Sequence, residues 1–530
     1  MEIFMNVDLT SLPNNTSDLK NIIQSLSLSC LNLEKEEQKK QSRIEFLEER
    51  IRLLQNELFG RKSEKQPKPD QHQMLLFDEQ AAEPEQEEPP QVTVPAHTRK
   101  KRGRKPLPVE LPRIDVVLDI DETEKICGCG CELSHIGDDT SEKLEIIPAK
   151  VQVIRYIRKK YACKNCEGVE DDGPTVKIAS LPPQMIPKSI ATPGLLAHII
   201  VSKFEDALPF YRQEKILQRM GVDLPRSTLC NWAVKVADGI DPIMKLLQDE
   251  MRSGPLINID ETPVQVLKEP GRSNTSKSYM WVYRGGDPDK PVLIYQYHPT
   301  RSGEVPLTFL KGYRGYIQTD GYSGYDALGR QEGIELVGCW AHVRRKFVEV
   351  IKAGSGKKKQ GVADKAIQLI GELYGIEKQA REENLSPEAI YRLRQGKAKP
   401  LLEKLHNWLL IKVDITPPKS LLGIAVNYTL KYWDRLIRYI EDGHLRPDNN
   451  LAENAIRPFV IGRKNWLFSG SPNGAKASSA LYSLIETAKA NGLRPYEYLR
   501  YLFEKLPYAQ TEQDYRNLLP KNIDPGLLKI

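Results

Sequence analysis

The amino-acid sequence predicts a multidomain α/β protein: a strand-rich catalytic core, interrupted by a helical insertion, behind a series of smaller modules. Three observations carry this expectation. The chain has 530 residues, too many for one hydrophobic core and enough for roughly three or four domains. Segments that alternate apolar and polar residues concentrate between residues 256 and 339, and a period of two marks half-buried strands. Five of the 8 cysteines fall between Cys127 and Cys166, leaving Cys30, Cys230 and Cys339 isolated, which fits a metal site in a reducing compartment better than a disulfide framework. No apolar run approaches the ~18 residues of a membrane span, and the opening Met-Glu-Ile-Phe-Met-Asn lacks the basic stretch of a secretory signal. A cytoplasmic protein is expected.

Residues 1–60 are expected to form an N-terminal coiled coil. Leu19, Ile23, Leu26, Cys30, Leu33, Ile44, Leu47, Ile51, Leu54 and Leu58 follow one another at alternating steps of four and three, with Glu37 and Lys40 as the polar occupants between. A strict seven-residue repeat buries its seam against a partner helix, so self-association follows. A single amphipathic helix packed on its own protein is the alternative.

Net charge is only +6, because 77 Lys and Arg face 71 Asp and Glu; the distribution says more. Residues 69–91 hold seven acids and no Lys or Arg, whereas residues 99–106 are almost wholly basic. Residues 61–112, rich in Pro, Glu and Gln, read as a disordered linker. Within it Arg102-Gly-Arg104-Lys105-Pro106 resembles an AT-hook, in which glycine lets an extended basic segment sit in a narrow minor groove. A nonspecific phosphate contact is the plainer reading, and both point to nucleic acid.

Residues 113–178 are expected to form a zinc-binding module. Cys127, Cys129 and Cys131 alternate with glycines, and Cys163 and Cys166 form a Cys-x-x-Cys turn; two such knuckles can close a tetrahedral site. Four of these five thiolates suffice, so one of them, or His135, is either spare or a substitute ligand. Four protein ligands leave no open position, which makes the zinc structural. Residues 143–161 read as two strands linking the knuckles. In residues 179–250 the helices flanking Met220-Gly-Val222 are spaced like a helix-turn-helix, with Arg226, Ser227, Thr228 and Asn231 toward DNA. The same spacing also fits an ordinary helical hairpin.

The catalytic domain is expected over residues 251–470. Leu-Ile-Asn-Ile-Asp-Glu-Thr-Pro-Val-Gln (256–265) reads as a strand that delivers Asp260, and Asp320 ends a later strand-like run at Gly321. Three strands, a connector, a fourth strand with the second acid and a fifth strand are the order of a ribonuclease-H-like sheet. First and fourth strands then lie side by side, bringing Asp260 beside Asp320. Residues 341–445 read as a helical insertion, too long for a simple connection. Glu453 falls on a short helix expected to start at an Asp448 or Asn449 cap and to end near Pro458. Helical spacing aligns Asn449, Glu453 and Arg457 opposite an apolar side of Leu451, Ala452, Ala455 and Ile456. Residues 462–470 interleave Arg463 and Lys464 with Trp466 and Phe468, a composition suited to distorted nucleic acid or to a packed hairpin. Residues 471–530 close the chain as a C-terminal helical segment. If the three acids converge, they form a hard-oxygen site for two magnesium or manganese ions, suited to in-line displacement at phosphorus. With 71 acids present, Glu261, Asp326 and Asp448 are close rivals.

These segments together resemble DDE transposases of the insertion sequence 66 family over nearly the whole chain. The resemblance is carried by Leu58-Phe-Gly-Arg61, the cysteine knuckles, Ile259-Asp-Glu-Thr262, Gln318-Thr-Asp-Gly-Tyr322, Cys339-Trp-Ala-His-Val-Arg-Arg-Lys-Phe347, Asn450-Leu-Ala-Glu-Asn454 with Arg457-Pro458, Gly462-Arg-Lys464 and Leu484-Ile-Glu-Thr-Ala-Lys-Ala-Asn-Gly492. It implies Asp260, Asp320 and Glu453 as catalytic acids, strand cleavage and transfer at the ends of a mobile element, two small accessory proteins as partners, and work at the bacterial nucleoid. The first knuckle departs from the usual Cys-x-x-Cys. A DNA-binding regulator with an inactive nuclease core is the alternative from another class; it explains the N-terminal half but not the three acids.

Overall fold

A computed structural model of the chain describes residues 15–59, 151–162, 176–353 and 361–528. Two compact units form, Met1–Gln80 with Leu181–Ile530, and Ala81–Ser180. The five clustered cysteines, His135, and the basic Arg102, Arg104 and Lys105 lie outside the described residues.

In the smaller unit, strand β1 (Lys160–Ala162) pairs antiparallel with β2 (Val176–Ile178). The expectation of two strands within residues 143–161 is corrected for its described part, because residues 151–159 carry no regular structure. Val153 and Ile157 are exposed there, so the apolar alternation finds no covering layer among the described residues.

The larger unit is built on a mixed sheet. Its strands are β3 (Leu256–Val266), β4 (Lys277–Asp287), β5 (Lys290–His298), β6 (Gly315–Gln318) and β7 (Ile334–Val337), in the spatial order β5-β4-β3-β6-β7. β3, β4 and β5 form an antiparallel meander, while β6 and β7 run parallel to β3. A two-residue strand, β8 (Phe468–Ser469), adds to the far end of β3, opposite Gln265 and Val266. The edge of β5 does not end in solvent. Its backbone bonds to side chains of the helix Pro472–Ala490: Ser483 Oγ accepts from Tyr295 N at 2.7 Å, and Thr487 Oγ1 both accepts from and donates to Leu293. Covering an edge in this way removes a template for pairing with other chains.

Helices pack around the sheet, with Asp241–Arg252 against β4 and β5 and Asn450–Trp466 against β3 and β4. Upstream, Pro193–Phe204, Phe210–Arg219 and Arg226–Gly239 form the expected helical segment, with a turn at residues 220–225. Between β7 and Asn450 the chain builds a largely separate helical core from Trp340–Ala353, Val362–Glu382, Lys399–Ile415 and Leu421–Lys431, with the short helix Pro387–Leu393 outside it. Arg394, 2% exposed, locks its end. The guanidinium pairs with Glu377 at 2.7 Å and donates to the carbonyls of Tyr439, Asp442 and Leu445, fixing the segment that leads to residues 446–449.

The heptad segment forms one helix, Thr16–Phe59. Leu26, Leu33, Ile44, Leu47, Ile51 and Leu54 of its seam are exposed. Leu53, outside the heptad register, is instead 1% exposed and packs with Ala353 and Leu421. No helix among the described residues is long and apolar enough to cross a membrane.

Candidate active site

The parallel register of β3 and β6 sets the geometry. Asn258 lies opposite Gln318, and two residues further along each chain stand Asp260 and Asp320. Because side chains alternate with a period of two, both carboxylates belong to the same face as that amide pair. The amides bond each other: Asn258 Nδ2 donates to Gln318 Oε1 at 2.9 Å and to Asn449 Oδ1 at 3.1 Å. Asn449 in turn donates to the Ile259 carbonyl at 2.8 Å, and Gln318 to the Arg446 carbonyl at 2.7 Å. All three amides are buried. This network ties two strands to the start of the Asn450–Trp466 helix, one turn before Glu453.

Asp260, Asp320 and Glu453 consequently line one cavity of about 350 Å³, together with His342, Arg345, Asn449, Ile456, Arg457 and Val460. Burial, and after it the negative charges of Glu261, Glu453 and Asp320, push the Asp260 carboxyl up to about 8, against the Glu261 backbone N–H that favours its charged form. Asp320 accepts the Tyr322 backbone N–H at 2.8 Å. Gly321 is needed here for space, since an added Cβ would fall 2.3 Å from the Tyr428 hydroxyl of the helical insertion. The Glu453 carboxylate faces His342 Nδ1 and Arg345, each at 3.8 Å, and its Oε1 is buried with no hydrogen-bond partner. Burial holds the His342 imidazole below its ordinary range although Glu453 acts in the opposite sense.

The rival acids are engaged elsewhere. Glu261, next to Asp260 and so on the opposite face of the strand, accepts from Arg301 Nε at 2.6 Å and from the Tyr325 hydroxyl. Asp326 pairs with Arg435 at 2.8 Å. Asp448 accepts the Asn450 backbone N–H.

The Glu453 helix corrects an expectation. It runs from Asn450 to Trp466 with Pro458 inside it. An internal proline costs about 3 kcal/mol, but Ile456 and Phe459 are buried in the main core on either side of it, and such side chains each contribute about 1.5–3 kcal/mol. Asn449 is the N-cap residue, yet its side chain serves the amide network rather than the helix.

Arg457 lies in the cavity wall and is exposed. Arg463 donates to Thr262 Oγ1 at 3.1 Å, which holds it beside β3, and Lys464 is exposed. Trp466 turns inward, with the Lys203 ammonium 4.1 Å from its ring centre, while Phe468 is exposed. Arg226, Ser227 and Asn231 are exposed on the Arg226–Gly239 helix and are not part of the cavity. Sequence reading assigned no role to Asn258, Gln318, His342 or Arg345; the spacing of Cys339, His342 and Arg345 in one motif was the available signal.

Comparison with known proteins places the chain in a family. Residues 188–477, more than half of the chain, match the transposase IS66 family. Residues 46–116 match the transposase C of IS166 homeodomain, residues 124–167 the zinc-finger binding domain of transposase IS66, and residues 483–520 the IS66 C-terminal element. The zinc-finger match spans all five clustered cysteines. Three uncharacterized proteins of Sinorhizobium fredii are similar along most of their length: y4jD, 35% identical over 78% of this chain and 81% of its own; y4qI, 32% identical over 81% and 79%; and y4hP, 31% identical over 86% and 85%. The chain is thus a transposase, a protein that acts on DNA. It belongs to the IS66 family.

Proposed function

We propose that this transposase cuts and joins DNA strands at the ends of its element with a triad of Asp260, Asp320 and Glu453, carried on a ribonuclease-H-like sheet. The observation that supports this reading most is the meeting of three acids from distant segments in one cavity, with the rival acids engaged elsewhere. The donor set fits a divalent cation: two carboxylates on one sheet face, a third with an orphaned buried oxygen, and an Asp260 carboxyl raised by burial and then by the charges of its acidic neighbours. Magnesium or manganese ions bound there would supply Lewis-acid activation of a water or 3′-hydroxyl and relief of charge on the leaving oxygen. Asp260 and Asp320 present their oxygens from adjacent strands, and Glu453 closes the set from the helix. Arg457 contacts phosphate at the cavity wall, and Arg463 and Lys464 extend that contact along the helix.

The same reading assigns the other modules. The exposed heptad seam of Thr16–Phe59 pairs as a coiled coil between copies; Arg102, Arg104 and Lys105 grip DNA; Arg226 contributes from the helix-turn-helix; and four of Cys127, Cys129, Cys131, Cys163 and Cys166 hold a structural zinc. The domain limits follow those read from the sequence, and the protein works in the cytoplasm, at the nucleoid, with accessory proteins of its element.

The test is a nicking assay on DNA carrying the element ends, comparing magnesium with EDTA and wild type with Asp320→Asn. Nicking is expected to vanish in EDTA and in the variant while the variant still binds DNA. Nicking that survives both sinks the proposal.

A further inference from the structure

We infer that His342 is a fourth protein ligand of the cation site, sharing one cation with Glu453 and giving that position a preference for manganese over magnesium. The inference rests on the carboxylate reading above and extends it to a nitrogen donor. Four observations carry it. His342 stands in the first turn of the Trp340–Ala353 helix and lines the same cavity as the three acids. Its Nδ1 and Glu453 Oε1 are both cut off from water, and neither has a hydrogen-bond partner. They lie 3.8 Å apart, too far for a hydrogen bond. Donors that each stand about 2.1 Å from one cation are at most about 4.2 Å apart, so the pair is spaced to share an ion. Finally, Cys339, His342 and Glu453 bring ligand atoms within 4.8 Å of one another.

Cys339 does not join the set as a thiolate. Its sulfur is buried and already accepts the Asn449 backbone N–H at 3.3 Å. It acts instead as a strut that holds the start of the Trp340 helix against the start of the Glu453 helix, a role shared by the bond from Trp340 N to the Pro447 carbonyl at 2.8 Å. The remaining donors are one imidazole nitrogen and carboxylate oxygens. All-oxygen sites suit magnesium, calcium and manganese alike, whereas a nitrogen donor disfavours magnesium relative to manganese and the later metals.

The experiment uses the full chain loaded with Mn2+ and read by electron spin resonance. Pulsed measurements on wild type are expected to show coupling to a directly bound nitrogen that disappears in His342→Ala. Titration is expected to show one Mn2+ weakened at least tenfold in that variant, with Mg2+ binding changed less. His342→Gln, which keeps the size of the side chain and removes the ring, serves as a second variant should alanine disturb the fold, with circular dichroism as the control. Bound Mn2+ without nitrogen coupling, combined with loss of binding in Asp260→Asn, overturns the His342 assignment and leaves the carboxylate site standing. A wild type that binds no Mn2+ overturns both.

Discussion

Asn258 and Asn449, 191 positions apart, are joined by a buried hydrogen bond of 3.1 Å, and through it the strand of Asp260 is fixed to the helix of Glu453. Replacing Asn258 with Leu removes the donor that serves both Asn449 and Gln318. Each buried group left without a partner costs about 1–3 kcal/mol, which denaturant unfolding would measure. Strand cleavage should fall further than stability does, by about 10²-fold, because displacement of reacting groups by about 1 Å has that effect. Full cleavage by Asn258→Leu would show that the network does not position the acids.

The raised pKa of Asp260 makes the metal-free protein sensitive to pH. Folding raises the carboxyl from its ordinary value to about 8, so between about pH 4 and pH 8 the folded chain holds a proton that the unfolded chain has released. Stability in EDTA therefore falls as pH rises through that window, and Asp260→Asn should flatten the slope. Cation binding near pH 7 should expel about one proton, detectable by calorimetry in buffers of differing ionisation enthalpy; heats independent of buffer count against it.

Arg394→Met should destabilise the protein by about 3–5 kcal/mol, since it removes the buried guanidinium and leaves both the half-buried Glu377 carboxylate and the carbonyls of Tyr439, Asp442 and Leu445 without their partner. Adding Glu377→Leu should recover only part of the loss, because the three carbonyls stay unpaired. Thermal unfolding of the two variants checks this, and equal midpoints for single and double variant would contradict it.

Glu261→Gln separates the two adjacent acids of β3. It should retain Mn2+ binding, because Glu261 faces Arg301 and Tyr325, whereas Asp260→Asn should lose it. Equal loss in both variants would put Glu261 in the cation site.

Much of this was legible in the sequence because strand alternation is local. The period of two in residues 256–265 puts Asp260 on a strand, and the order of later strands puts the fourth beside the first, where β6 lies parallel to β3. What was not legible depends on contacts across long stretches of chain. Asn258 and Gln318 look like solvent-facing strand positions until Asn449 is brought over them. His342 and Arg345 belong to a helix whose relation to Glu453 is set by the insertion. Pro458 misled because local propensity was outweighed by burial of its neighbours, and β8 is too short to announce itself.

The Asn450–Trp466 helix is held at both ends by one strand, through Asn449 to Ile259 at its start and through Phe468 opposite Gln265 just beyond its finish. Glu453 accordingly has no hinge of its own on which to swing toward the aspartates. Under the proposed triad, substrate must therefore be shaped to a rigid jaw.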